Sequence, residues 1–434
     1  MKKIDKIENL HDRHKSYFDS KIKQELIDKI DKYNMSDEDI EYHSKILVLS
    51  KERFIRKFSN QQRLLGIYVK KDIDIISIGN VNLLICFQKK IDRQLPIINF
   101  LLKNTSKRDY YEYIYKLFGY EKFNSIKMYD YILGYSIYKY KLDNKISKNM
   151  RSNYKVRELM NTHLKFLFHN EIDYIDKNLV GKKLSSREHR IKVSENKKLF
   201  LSHSSYKNLN NLDNFSEFLD EKRIWSPYLL ALASDIKVCP YCNRQYVTPI
   251  MTSSGKLRGD IDHFFAKRYY PLLSLSLYNM IPSCLSCNRV LKSDEQLDYN
   301  ALHPYRDDID EHFKFTLVSF SNGEKEITTE KTKKAIKENS LIDDHLTMFK
   351  IEELYSYHMN HVDEIIKTRE MYNETYINFL YRRFNKLFSS RVELEEHIIG
   401  YTKTENFNNE TLSKFRKDII DQLWSKHMLK KLLK

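Results

Sequence analysis

Proline and glycine are scarce in this chain, with seven and nine among 434 residues. No proline lies between Pro96 and Pro227, and none follows Pro304. Such stretches, rich in Lys, Glu, Leu, Ile and Tyr, have little to interrupt helices. Long apolar runs are also missing. "VNLLICF" and "IINFLL" are core-sized, well short of the roughly 20 residues a membrane helix needs. The N-terminal "MKKIDKIENLHDRH" places acids where a signal peptide needs an apolar segment. The expectation is a cytoplasmic protein with no membrane partner. There is no repeat of fixed period and no low-complexity linker, so any domain edges are soft.

Cysteine is sparse too, but its five positions are uneven. Cys86 stands alone in an apolar run and reads as a core thiol. The others form two pairs, Cys239-x2-Cys242 and Cys284-x2-Cys287, with 41 residues between them. In a reducing compartment such pairs indicate zinc or redox chemistry, not structural disulfides. No βαβ pattern surrounds either pair, which disfavours a thioredoxin-like role. Each pair forms a knuckle, and four thiolates complete a tetrahedral structural Zn²⁺ site. The gap is too long for a minimal zinc ribbon, so something is inserted between the knuckles.

What is abundant is positive charge, +16 in total. It suggests an anionic partner, nucleic acid first. AT-rich codons would also enrich Lys, Asn, Ile, Tyr and Phe, so charge alone does not establish one. Ten tyrosines fall between 110 and 140, and residues 110–157 hold ten Lys/Arg against four Asp/Glu. Aromatics among cations can stack bases; equally, they can form the edge of a helical core. "SKIKQELIDKIDKY", "VDEIIKTREMYNETYINFLYRRFNKLF" and "LSKFRKDIIDQLWSKHMLKKLLK" carry apolar residues at helical spacing. "HFKFTLVSFSNGEKEITTE" instead reads as two strands about an Asn322-Gly323 turn. His358 and His361, three apart on a helix with no evident third ligand, read as structural.

The insert between the knuckles carries the chemistry. "RQYVTPIMTSSGKLRGDIDHFF" reads as strand, Ser-Ser-Gly turn, strand, with Asp262-His263 near the end of the second strand. "CLSCNRVLKS" reads as a helix starting at the second knuckle. Asp262 and Asn288 can then share one divalent ion, and their oxygen ligands suit Mg²⁺ or Mn²⁺ better than zinc.

The pattern C-x2-C, Asp-His, a mid-loop Asn and C-x2-C-Asn resembles the HNH (ββα-metal) endonuclease family, in its four-cysteine zinc-stapled subgroup. It covers residue 239 to about 294. "NALHPYRDDID" further resembles HNH proteins of bacterial anti-phage defence. The resemblance implies His263 as general base, Asp262 and Asn288 as ligands of a catalytic Mg²⁺ or Mn²⁺, and Asn279 as the residue holding the base's loop. Lys292 would contact the scissile or adjacent phosphate, unless it is an ordinary solvated lysine. His303 is either an accessory residue of the metal site or a packed ring.

The expected fold is mainly α, with helical regions at 1–225 and 309–434 around a small ββα-metal module at 226–308. The C-terminal region should open with a β-hairpin. The expected function is metal-dependent hydrolysis of nucleic-acid phosphodiesters, DNA favoured over RNA, with a possible partner ATPase or self-association. A tRNA-type RNA nuclease and a non-catalytic zinc-dependent nucleic-acid-binding protein are the alternatives.

Overall fold

The computed structural model describes residues 1–104, 106–125, 225–252 and 255–432. Lys139, Lys141 and the tyrosines from 129 to 140 lie outside them. The N-terminal part is helical, as its periodicity predicts: α1 (His11–Phe18), α2 (Gln24–Lys29), α3 (Asp37–Ile46), α4 (Lys51–Lys71), α5 (Ile73–Ile78), α6 (Val81–Gln94), α7 (Pro96–Lys103), α8 (Asp109–Leu117) and α9 (Tyr120–Ser125). Helix α4 starts where the Ser50 hydroxyl accepts from the Arg53 N–H, and it buries Phe54, Phe58, Leu65 and Val69 on one face. Ser36 and Asn80 cap α3 and α6 in the same way. Each such cap is worth about 1 kcal/mol over alanine.

One reading of this region changes, and for the described tyrosines the core-edge reading holds. Cys86 is exposed. Helix α6 turns about 100° per residue and buries Val81, Leu84, Ile85, Phe87, Gln88 and Ile91, so position 86 falls on its outer face despite apolar neighbours. The tyrosines within reach are core residues. Tyr110, Tyr111, Tyr115 and Tyr120 are all buried.

Helix α10 (Pro227–Ala233) leads into the first knuckle. Strands β1 (Ile250–Thr252) and β2 (Gly255–Leu257) form a short hairpin. Here the predicted strand breaks. Asp262-His263 belongs to a separate strand, β3 (Asp260–His263), antiparallel to β4 (Met280–Ser283). Gly259 marks the change of partner. A Cβ there would lie 2.7 Å from the Val247 Cβ and 2.9 Å from the Ser283 carbonyl oxygen, so only glycine allows that approach. A wide-wound helix (Ser286–Lys292), the site helix below, follows β4.

The predicted hairpin at Asn322-Gly323 is present as β5 (Phe313–Ser319) and β6 (Lys325–Lys331), with Gly323 at φ +88°. Seven helices follow: α11 (Lys333–Lys337), α12 (Ile342–Met348), α13 (Ile351–Ser356), α14 (Met359–Met371), α15 (Glu374–Phe384), α16 (Arg391–Ile399) and α17 (Ser413–Leu432). No helix among the described residues is long and apolar enough to cross a membrane.

Both arms close on the centre. His14 accepts from the Trp225 indole N–H at 3.0 Å through Nδ1 and reaches the Leu275 carbonyl at 2.9 Å through Nε2. That pins α1 onto the loop between β3 and β4. From the other side, the Tyr355 hydroxyl donates to the Cys242 carbonyl at 2.7 Å, and the Asn243 amide bonds the Phe407 carbonyl at 2.6 Å. Buried apolar residues of both arms and the centre form one continuous core.

Candidate active site beside a four-cysteine centre

Cys239, Cys242, Cys284 and Cys287 are buried, and their sulfurs lie within 4.8 Å of one another. A tetrahedral site with Zn–S of 2.3 Å places sulfurs about 3.8 Å apart; Cys242 and Cys284 are separated by 3.9 Å. The cluster could hold a metal ion such as zinc. Burial pushes the Cys239 thiol up, so thiolate formation there needs a cation. His358, Nε2 3.0 Å from the Arg244 guanidinium, sits beside the first knuckle and contributes no ligand to this cluster.

Strand β3 projects Asp260 and Asp262 to one face and His263 to the other, because side chains alternate along a strand. The site helix faces the two carboxylates. Its Asn288 amide donates to Asp260 at 3.2 Å, and Arg289 grips the same carboxylate at 2.6 and 2.9 Å. Burial raises the Asp260 carboxyl, but Arg289 and Asn288 outweigh it and hold the group below its usual range.

Lys292, expected in solvent or on a phosphate, is fully buried. Its ammonium donates to an Asp262 oxygen at 2.9 Å and to the His263 carbonyl at 2.7 Å. The other Asp262 oxygen accepts from the Tyr241 hydroxyl at 2.6 Å. Asp262 and Asn288 therefore each bond a different group, not a shared point. As the residues stand, Mg²⁺ or Mn²⁺ at Asp262 does not fit, since a lysine already neutralises that carboxylate.

The His263 Nε2 lies 2.8 Å from the Ser274 carbonyl. A carbonyl only accepts, so Nε2 carries the proton and Nδ1 keeps a bare lone pair. Burial, reinforced by nearby Lys267, pushes the ring's pKa down to about 3. The ring is therefore neutral, and burial also makes Nδ1 a weak base as the site stands. Tyr120 of the N-terminal arm covers it edge-on at 4.4 Å between ring centroids.

Asn279 ties the loop together. Its carbonyl oxygen accepts from the Phe265 N–H at 2.7 Å, and its amide donates to the carbonyls of Phe265 and Leu273 at 3.1 and 2.9 Å. His303 is a packed ring, 4.1 Å from Phe264 between centroids, with Nδ1 accepting from the Tyr305 N–H at 3.1 Å. Tyr305 in turn donates to the Met280 carbonyl at 2.8 Å, fixing the start of β4.

Sequence reasoning missed Asp260 and Tyr241. The first was available from strand alternation two residues before Asp262. The second sits inside the Cys239-x2-Cys242 knuckle, where attention to ligand spacing hides the intervening residue. No protein-family model, curated protein or solved structure matches this chain.

Proposed function

We propose that the chain is a nucleic-acid phosphodiester hydrolase of the HNH (ββα-metal) kind, with His263 as general base and DNA favoured over RNA. The observation that carries the reading is the His263 ring. Its Nε2–H is committed to the Ser274 carbonyl, which leaves Nδ1 as a bare, neutral base. General-base action contributes about 10²–10⁴-fold in rate when the base's pKa lies near the working pH, so a bound phosphate's negative charge would have to raise that of His263. Asn279 holds the loop that carries this base, the role its place in the motif implies. Zn²⁺ at the four cysteines would be structural, closed by four thiolates with no open position. A catalytic Mg²⁺ or Mn²⁺, when bound, would stabilise charge on the phosphoryl group and leaving oxygen. Asp262 and Asn288 would hold it only in a state in which Lys292 and Asp260, their partners in this structure, have moved away. By the same resemblance the setting is bacterial anti-phage defence, with a partner ATPase or self-association through the helical arms.

A non-catalytic zinc-dependent nucleic-acid-binding role is the second reading. Full engagement of Asp262 by Tyr241 and Lys292, and the cover over His263, favour it. Incubating the protein with plasmid, single-stranded DNA and total RNA, with and without Mg²⁺, separates the two. Mg²⁺-dependent products ending in 5′-phosphate and 3′-hydroxyl support the hydrolase. Binding without cleavage of any polymer supports the second reading.

A further inference from the structure

Helix α15 carries its large apolar side chains on the outside. Tyr376 and Phe379 are 45% and 61% exposed, while Ile377 on the opposite face is 4% exposed and anchors the helix. The two exposed rings are nearly parallel, at 10°, with centroids 6.3 Å apart, and Tyr372 continues the row 5.6 Å from Tyr376. Arg383 lies seven residues after Tyr376 and four after Phe379, so it shares their face. Arg382 and Lys386 flank it. All three cations are exposed, and none has an ion pair among the described residues. From 371 to 392 there are four Lys/Arg against one Asp/Glu.

We propose that this aromatic ridge is a stacking platform for single-stranded nucleic acid, with Arg382, Arg383 and Lys386 on its phosphates. Flat exposed rings beside unpaired cations match the two parts of such a strand, its bases and its backbone. A second copy of the chain fits less well, because a two-fold contact would bring the same three cations together. The substrate class follows the nuclease reading, but the platform needs no catalysis to bind.

The test uses fluorescence anisotropy with labelled oligo-dT and a matched duplex, without divalent ions, on full-length zinc-loaded protein. Tyr376→Ala with Phe379→Ala should weaken single-strand binding roughly tenfold or more, given the contribution of each stacked base. It should leave duplex binding and zinc content unchanged. Arg382→Gln with Arg383→Gln should flatten the salt dependence, each lost phosphate contact removing about 0.7 from the slope. Should the ring variant misfold, the arginine pair decides the matter through that slope. Parent and both variants binding oligo-dT alike would overturn the proposal. So would a parent dimer that the ring variant converts to monomer, since a second copy would then cover the ridge. A protein that binds through the ridge yet cuts no polymer would refute only the hydrolase.

Discussion

The four-cysteine cluster and the β3–site-helix cluster lie side by side on the same short segment, yet their ligands behave differently. The cysteine sulfurs converge on one another, within 4.8 Å. The two carboxylates are each taken by protein donors: Asp262 by Tyr241 and Lys292, Asp260 by Asn288 and Arg289. Thiols find few good partners in a protein interior, so their convergence speaks for a metal. Carboxylates find many, and a lysine can stand where a divalent ion is expected. A motif that names ligands correctly for one chemistry thus does not fix which cation each will hold.

The largest effect should come from breaking the sulfur half. Elemental analysis should find about one zinc per chain, and Cys239→Ser or Cys287→Ser should abolish both zinc and cooperative melting. Structural zinc contributes about 10–16 kcal/mol to comparable small modules. Wild-type protein that is well folded without zinc would refute the assignment.

Lys292→Met probes the oxygen half. Removing one partner of a buried ion pair costs about 3–5 kcal/mol, read as a lower melting temperature. Asp262, left with a bare charge, should then take up Mg²⁺ more readily, so Mg²⁺ should raise the variant's melting temperature more than the wild type's. Equal Mg²⁺ shifts in both proteins would mean that Lys292 does not occupy a metal position.

Tyr241→Phe sharpens the link between the halves, because its hydroxyl joins the knuckle to Asp262. Loss of a hydrogen bond to a charged group costs about 1.5–3 kcal/mol. Zinc content should stay constant while stability falls by that amount in denaturant titrations. Loss of zinc would make Tyr241 part of the sulfur half instead.

The smallest effect concerns the loop over the oxygen half. His14 is buried and its pKa is pushed down to about 4, chiefly by burial. Protonation therefore favours the unfolded chain, whose imidazole titrates near 6.5. The stability His14 contributes is complete above that pH and is lost as pH falls toward 4. His14→Gln should lower stability at neutral pH and remove about 2 kcal/mol of the drop between pH 6.5 and 5. Identical pH slopes in both proteins would count against the His14 anchor.

Much of this was legible beforehand, for identifiable reasons. The cysteine spacing, the Asn322-Gly323 hairpin and the helical flanks depend on local pattern, and the described residues repeat them. Asp262, His263, Asn279 and Asn288 come from the motif alone; what the structure adds is that Asn279 bonds Phe265 and Leu273. The strand pairing was not legible, because β3 meets β4 across a sixteen-residue loop while a local turn signal favoured the β1–β2 hairpin. Lys292 was misjudged because a lysine in a helix is ordinarily solvated. Only the approach of β3 shows that its ammonium has two buried acceptors.

In the proposed hydrolase the sulfur half would build the fold and the His263 half would cut nucleic acid. The most direct test is single-turnover cleavage by zinc-loaded wild type and His263→Ala, each with Mg²⁺, on whichever polymer wild type cuts. Equal zinc is expected, with a lower melting temperature because the buried ring and its bond to Ser274 are lost, and, where both proteins are folded, cleavage by the variant slower by about 10²-fold or more. Cleavage by His263→Ala at the wild-type rate, or no cleavage by wild type of plasmid, single-stranded DNA or RNA, would contradict it.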